Sequence, residues 1–344
     1  MTKKSVNIRD VARRAGVSVA TASRAINGHK VVNAQTRARI LTVIEELGFT
    51  PSAAARRLSL GRTLTVGVVV SFLTRPQAAE RLRGVDAVLT DSDFDLVIYN
   101  VESTQKRDHY LGTLAQSQRT DGLLVISLPP PPDGAAALRA SPVPVVFIDV
   151  HAPSVAASPR VIGDDAAGGA LAARHLIELG HRAIGFIGDA LENPFGFTSS
   201  RDRQRGLAAE LATAGFPLRP EWTGLGAHGR YEARDLARGM LAAPQRPTAI
   251  FAASDTQALG VIAAAHERGL RVPEDLSVIG YDDIEAADFV GLTTIRQGLF
   301  ESGRRGAELL LAEIERRSDP APVVRLPPEL VVRGSTGPPR ERRA

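Results

Sequence analysis

The chain of 344 residues contains no cysteine. Disulfides, thiolate metal sites and cysteine nucleophiles are therefore excluded, and the absence fits a reducing, cytoplasmic setting. No run of about 18 apolar residues occurs, so no membrane span is expected. The opening MTKKSVNIRD lacks the apolar segment of a secretory signal. Catalytic motifs are also missing. No G-x-G-x-x-G follows a strand-like run, and there is no Walker lysine loop. GxSxG is absent, and the seven histidines never fall into H-x-x-x-H. Asp282 and Asp283 are adjacent carboxylates, and in a strand they point to opposite faces, a poor arrangement for a metal. The expectation is a protein that is not an enzyme and has no metal and no cofactor. The end of the chain, rich in Pro, Gly and Arg, holds no heptad repeat, and residues 336–344 are expected to form a disordered tail.

The charge present is unevenly placed. Residues 1–62 carry 12 Lys and Arg against 3 Asp and Glu, a net of +9, whereas the remainder carries 30 against 35, a net of −5. A basic head on a mildly acidic body marks a nucleic-acid-binding module joined to something else.

Within the head, Asn7 to Asn27 (NIRDVARRAGVSVATASRAIN) predicts two short helices with a tight turn. Asn7 can cap the first helix with Asp10 at its third position. Ile8, Val11, Ala12 and Ala15 then share one face. Gly16 stops that helix, because glycine enters the left-handed region cheaply, and Ser18 can cap the next. There Ala22, Ala25 and Ile26 point inward, while Val19, Ala20, Ser23, Arg24 and Asn27 point outward. That outer face suits a recognition helix in a DNA major groove. A third helix is expected after Asn33, burying Ile40, Leu41, Ile44 and Leu47 and stopping at Gly48. Residues 52–63 (SAAARRLSLGRT) are basic and too short to be stably helical alone, so they can order on DNA with a partner chain.

From Leu64 the texture changes to strand–helix units. Apolar runs recur at Val66–Val70, Leu96–Ile98, Leu123–Ile126, Val145–Ile148, Ile184–Ile187, Ala249–Ala252 and Val278–Tyr281. Helical stretches such as Ala78–Leu89, Ala166–Leu179, Arg201–Ala214 and Thr256–Arg268 lie between them. This alternation predicts α/β architecture with parallel sheets, in two lobes. Ligands of such sheets sit beyond the carboxyl ends of strands. The residues there include Ser71, Phe72, Asp149, Ser254 and Asp282, a set suited to a small polar ligand.

The sequence resembles the lactose-repressor/galactose-repressor (LacI/GalR) family of bacterial transcription regulators. The blocks carrying the resemblance are DVARRAGVSVATASRAING, VNAQTRARILTVIEELGFTPSAAARRL, HLIELGHRAIGFIG, FAASDTQALGVIAAAHERGLRVPEDLSVIGYDD and LTTIRQ, in that order. The resemblance implies a helix-turn-helix domain over 1–50 and a hinge over 51–63. It also implies an effector-binding and dimerisation domain over 64–335, resembling periplasmic binding proteins. Its first lobe would take 64–162 and 297–324, and its second 163–291 and 325–335. Base edges would be read by Val19, Ala20 and Arg24, and phosphates held by Asn7, Ser18, Thr21, Ser23 and Asn27. Leu58 would wedge into the minor groove, lined by Ala54 and Arg57. In the effector site the resemblance implies a guanidinium clamp at Arg201, with His228, Gln297, Asp149, Ser254 and Asp282 around it. His228 stands where the family often has a stacking aromatic, which weakens the case for a hexopyranose and leaves nucleosides, small sugars and acids open. The implied function is a homodimeric repressor of catabolic genes. It would bind pseudo-palindromic double-stranded operator DNA under control of a small-molecule effector, a sugar first among the choices, with ligand-driven lobe closure altering operator affinity.

Overall fold

The computed structural model describes residues 6–26, 31–50, 57, 60–117, 119–315 and 322–340. The chain divides into two compact units, Met1–Leu64 and Thr65–Ala344. Asn27, Ala54 and Leu58 lie outside the described residues, as does most of the expected hinge.

The first unit has three helices: α1 (Ile8–Arg14), α2 (Val19–Ile26) and α3 (Ala34–Leu47). The expected capping is present. Asn7 Oδ1 accepts from Arg9 N at 2.9 Å, and Asp10 Oδ2 accepts from Asn7 N at 3.1 Å. Gly16 takes φ +65° between α1 and α2. Ser18 Oγ accepts from Thr21 N at 3.0 Å, and Asn33 Oδ1 from Thr36 N at 2.8 Å. Val11, Ala15, Ala25, Ile40 and Val43 form the small core. One expectation fails. Leu41 is 46% exposed, and Val43 is buried in its place. Positions 40, 43, 44 and 47 share a helical face, whereas 41 lies about 100° from 40.

The second unit has two six-stranded sheets. Sheet 1 contains β1 (Thr65–Ser71), β2 (Asp95–Val101), β3 (Gly122–Ile126), β4 (Val145–Ile148), β5 (Arg160–Ile162) and, from near the chain end, β11 (Val323–Arg325). Its order is β2-β1-β3-β4-β5-β11, and every pairing is parallel. Sheet 2 contains β6 (Ile184–Asp189), β7 (Thr223–Gly226), β8 (Ala249–Ala252), β9 (Ser277–Asp282), β10 (Thr293–Arg296) and β12 (Glu329–Val331). Its order is β7-β6-β8-β9-β10-β12, with only β12 antiparallel. The chain therefore crosses between lobes three times, after β5, β10 and β11. Short strands such as β5, β7, β10, β11 and β12 carry too few apolar residues to announce themselves by periodicity.

Two helix pairs flank the sheets and position the chemistry. In lobe 1, α4 (Pro76–Leu89) packs on α12 (Leu299–Ile314), and in lobe 2, α7 (Asp165–Glu178) packs on α8 (Ser199–Thr213). Both crossings depend on glycine. A Cβ on Gly303 would lie 1.9 Å from Arg81 O, and one on Gly206 would lie 1.9 Å from Ala166 O. No other residue permits so close a backbone approach.

The expected disordered tail, 336–344, is described as far as Arg340, and that part is tied down. His181, 1% exposed, places Nε2 2.9 Å from Gly337 O and Nδ1 2.9 Å from Thr248 Oγ1. Arg340 Nη1 meets Asp275 Oδ1 at 2.9 Å. Composition alone predicted disorder there. Buried polar partners, which composition does not record, supply the order instead.

Candidate functional site

The carboxyl ends of β1, β3 and β4 in one sheet and β6, β8 and β9 in the other face one cleft between the lobes, with a cavity of about 80 Å³. At 10–15 Å³ per water, that is room for several waters or a small ligand. Strained backbone gathers there. Among the described residues six non-glycines have positive φ: Leu64, Phe72, Ser127, Asp149, Asp282 and Asp283. All but Leu64 stand at a strand's carboxyl end. Such strain persists where the surroundings over-determine it and collects at functional sites.

On the lobe 1 side, Asp149 follows β4. Its Oδ2 pairs with Arg81 Nη2 at 2.9 Å and accepts from Ser127 Oγ at 2.7 Å. Burial pushes this carboxyl up, but Arg81 and Ser127 overcome that and hold it below the ordinary carboxylate range. Arg81, 3% exposed on α4, also donates through Nη2 to Gln297 Oε1 at 3.1 Å. Gln297 Nε2 in turn donates to Asp282 Oδ1. Ser71 lines the cleft and donates to Ser127 O at 3.0 Å.

On the lobe 2 side, the buried cation is Arg203. Its Nε donates to Asp165 Oδ1 at 2.7 Å, and its Nη1 donates to Ala253 O at 2.6 Å and lies 3.7 Å from Asp282 Oδ1. The guanidinium sits 3.6 Å from the centroid of the Tyr281 ring. Desolvation opposes its charge, but Asp165, Tyr281 and Asp282 prevail and raise its pKa. Burial is also the main influence on Asp282, pushed up to about 6. Asp189, at the end of β6, accepts from Gln257 Nε2 at 2.9 Å and lies 3.1 Å from His228 Nδ1. Burial would raise its pKa, but His228, Arg75 and Arg203 hold it low. Ser254 caps α10 (Asp255–Glu267), donating to Gln257 Oε1 at 3.0 Å.

Of the residues expected around the effector, Ser71, Asp149, His228, Ser254, Asp282 and Gln297 line this cleft. Phe72 stands behind it. Its ring packs edge-on against Phe195 at 5.4 Å and Phe197 at 6.4 Å, and Phe197 forms the wall. Arg201 is misplaced by the sequence reading. It is not among the lining residues; its side chain is 56% exposed and lies 3.7 Å from Asp202. Helix geometry gives the reason. Gly206 faces α7, and a residue three before it lies about 60° away on the same face, whereas one five before lies about 140° away. Arg203 therefore takes the inward place. Arg81, Asp189, Ser127 and Phe197 were also missed. Asp189 and Ser127 stand at strand ends, so the rule that found Asp149 applied to them too.

In the first unit, Val19 is 43% exposed, and Ala20 and Arg24 are exposed with it on the outer side of α2. Arg24 is the long donor there, with the reach for a guanine edge. Asn7 and Ser18 are exposed at the helix starts, and Thr21 and Ser23 are half-buried. Ser18 and Thr21 hold their hydroxyls 2.9 Å apart. Arg57 is half-buried.

Comparison with known proteins agrees with both units. Residues 7–52 match the bacterial regulatory proteins of the lacI family, and residues 173–336 match a periplasmic binding protein-like domain. The HTH-type transcriptional repressor PurR of Haemophilus influenzae (strain PittEE) is 35% identical over 336 residues, covering 95% of this chain and 98% of that one. Catabolite control protein A of Priestia megaterium is 32% identical over 334 residues, covering 96% and 99%. The lac repressor dimer bound to operator and the anti-inducer ONPF superposes with a TM-score of 0.83 at 28% identity, covering 97% of this chain and 100% of that one. The transcriptional regulator CelR in complex with cellobiose gives 0.70 at 30% identity, covering 96% and 99%. A basic three-helix head with an outward-facing recognition helix, a two-lobed sensor and this likeness along nearly the whole chain lead to one conclusion: the protein belongs to the lacI family of bacterial regulatory proteins and is a DNA-binding transcriptional repressor, not an enzyme.

Proposed function

We propose that this repressor holds a two-fold operator as a homodimer and that a small, neutral, polyhydroxylated ligand, a sugar, sets its grip by binding in the interlobe cleft. The observation carrying this reading is the cleft's internal charge pairing. Arg81 is matched by Asp149, Arg203 by Asp165 and Asp282, and Asp189 faces Arg75 and His228. Little positive charge is left over for an anionic ligand. Carboxylates beside serine hydroxyls, with a phenylalanine wall, are what adjacent hydroxyls and the apolar face of a sugar ring require. Among solved relatives, CelR is seen with cellobiose and a regulator from Enterococcus faecium with ribose. Sugars bound to these two relatives support the reading, and nucleosides stay in the test as the alternative.

The coupling is thermodynamic. A ligand that favours one closure of the lobes must alter operator affinity by the same factor by which operator alters ligand affinity. The test selects bound fragments from genomic DNA, then measures fluorescence anisotropy against monosaccharides, disaccharides, nucleosides and small acids. A sugar is expected to change operator Kd by about 5- to 150-fold and to raise Tm with its concentration. A response to nucleosides or acids alone would overturn the sugar assignment.

A further inference from the structure

Phe197 borders two cavities. One is the cleft above. The other, of about 60 Å³, is walled by Pro129, His151 and Ala152 from lobe 1 and by Gly196 and Thr198 from lobe 2. Ser127, Asp149, Phe197 and Ser199 border both, so the two chambers abut along a shared rim of hydroxyls and one carboxylate. The dividing ring is held firmly. Phe197 N donates to Asn193 Oδ1 at 2.8 Å, and Phe197 O accepts from Asn193 Nδ2 at 3.0 Å. Its ring stacks on Phe195 with centroids 5.2 Å apart and planes 2° from parallel. Phe195 is 7% exposed and belongs to the core of lobe 1, although its loop springs from lobe 2 between β6 and α8.

We propose that the second chamber receives a second sugar ring, so that the ligand is a disaccharide rather than a free monosaccharide; this rests on the sugar reading above. The chambers are comparable in size, about 80 and 60 Å³; the first is lined by paired charges, the second mainly by hydroxyls and apolar faces. The flat faces of Phe197 and Pro129 offer apolar contact, while Ser127, Thr198 and His151 offer hydrogen bonds. Shared Ser127, Asp149 and Ser199 would flank the glycosidic link. No Lys or Arg is among the described residues lining the second chamber, and Asp149 faces it. Arg81 is already engaged by Asp149, so a phosphate or carboxylate substituent would find no Lys or Arg in the second chamber to receive it, which argues against a sugar phosphate or nucleotide.

Isothermal titration of the full chain with matched pairs, each disaccharide beside its constituent monosaccharides, tests this. The disaccharide is expected to bind about tenfold or more tighter, a gain of roughly 1.4 kcal/mol. Ala152→Trp, which fills the second chamber, should remove that advantage and leave monosaccharide binding within about twofold. His151→Ala, at an exposed side chain, should weaken the disaccharide alone and guards against misfolding of the tryptophan variant. Equal wild-type affinity for both members of every pair would overturn the proposal, as would equal losses for both in the two variants. Monosaccharide-only binding overturns this proposal and leaves the sugar reading standing; no binding of any saccharide overturns both.

Discussion

Arg81 donates to Gln297 at 3.1 Å, and this one bond joins the two lobes' carboxylates into a chain. Asp149 at the end of β4 pairs with Arg81, Arg81 reaches Gln297, and Gln297 reaches Asp282 at the end of β9. Gln297 lies in the second crossover, immediately after β10. The interlobe cleft thus contains a polar connection that spans both lobes, anchored at its ends by Ser127 on Asp149 and by Arg203 near Asp282.

Removing the cation should therefore be costly. Arg81→Met would leave Asp149 without its cation, with only Ser127 donating to it, and Gln297 Oε1 without its donor, and breaking a buried pair from one side costs about 3–5 kcal/mol. The pH dependence has a fixed sign. The folded-state pKa of Asp149 is depressed, so its stabilising contribution is present above the unfolded value near 4 and is lost as pH falls through the folded value. The gap between wild type and variant should be widest near neutral pH and close on acidification below about 4. Urea denaturation at pH 7 and in acid measures this; a gap that is independent of pH would show that the loss is one of packing alone.

The second buried cation gives a contrast between neighbours. Arg203→Ala strips Asp165 and Asp282 of their shared partner and should cost about 3–5 kcal/mol, together with effector response. Arg201→Ala removes a mostly exposed side chain and should change stability by less than about 0.5 kcal/mol, leaving operator release at wild-type effector levels. Thermal melts and operator release assays on the two variants decide which arginine serves the cleft.

That contrast also marks how far the sequence could be read. The recognition helix, its caps and the parallel sheets were legible because periodicity and capping are local: Asn7, Gly16, Ser18 and Asn33 act within four residues of themselves. Asp149, Ser254 and Asp282 were legible because ligands gather at strand ends. Arg203 was not, because its inward direction depends on which face of α8 meets α7, a fact carried by Gly206 and Ala166 across the helix pair. Arg81 was hidden in the same way, since Gly303 from over two hundred residues downstream seats against its carbonyl. Phe197 lies in a loop with no period at all.

Ligand affinity should depend on pH through Asp282. Burial holds its pKa up at about 6, so it loses its proton as pH rises through that value. A ligand whose hydroxyls donate to the carboxylate selects the ionised form. Affinity is therefore expected to rise between pH 5 and pH 7, by up to about tenfold per unit below the pKa. Asp282→Asn cannot ionise and should flatten this component. Calorimetric titration across the range tests it, and an identical slope in both proteins would remove Asp282 from the contact set.

On the DNA side, Arg24 on α2 is the exposed long donor expected to read a base. Arg24→Ala should cost about 1–3 kcal/mol per half-site on operator DNA. On random DNA it removes only one positive charge, so the loss should be small and should shrink as salt is added. Gel-shift titrations on operator and scrambled duplexes at two salt concentrations separate the outcomes, and equal losses on both would assign Arg24 to the phosphates.

Phe289 is 92% exposed at the end of α11 (Glu285–Phe289), and its neighbour Val290 is 48% exposed. On lobe 1, edge strand β2 exposes Val97 and Ile98, at 39% and 41%. Exposed apolar side chains on two lobes, Phe289 on one and Ile98 on one face of the β2 edge of the other, are suited to cover by a second copy, and a two-fold axis would pair each with its own image. A glutamate placed on such a patch meets its own symmetry mate, so like charges face each other across the axis. Phe289→Glu and Ile98→Glu should therefore shift the sedimentation equilibrium from dimer toward monomer. Operator affinity should fall with it, because a monomer engages one half-site and forfeits the gain of linked binding, about 10²–10⁴-fold. Phe289→Glu should leave folding untouched, since that side chain already lies in water, and a melt of Ile98→Glu, whose side chain is more than half covered, separates any loss of stability from loss of the dimer. A variant that stays dimeric at the same protein concentration would place the interface on another face.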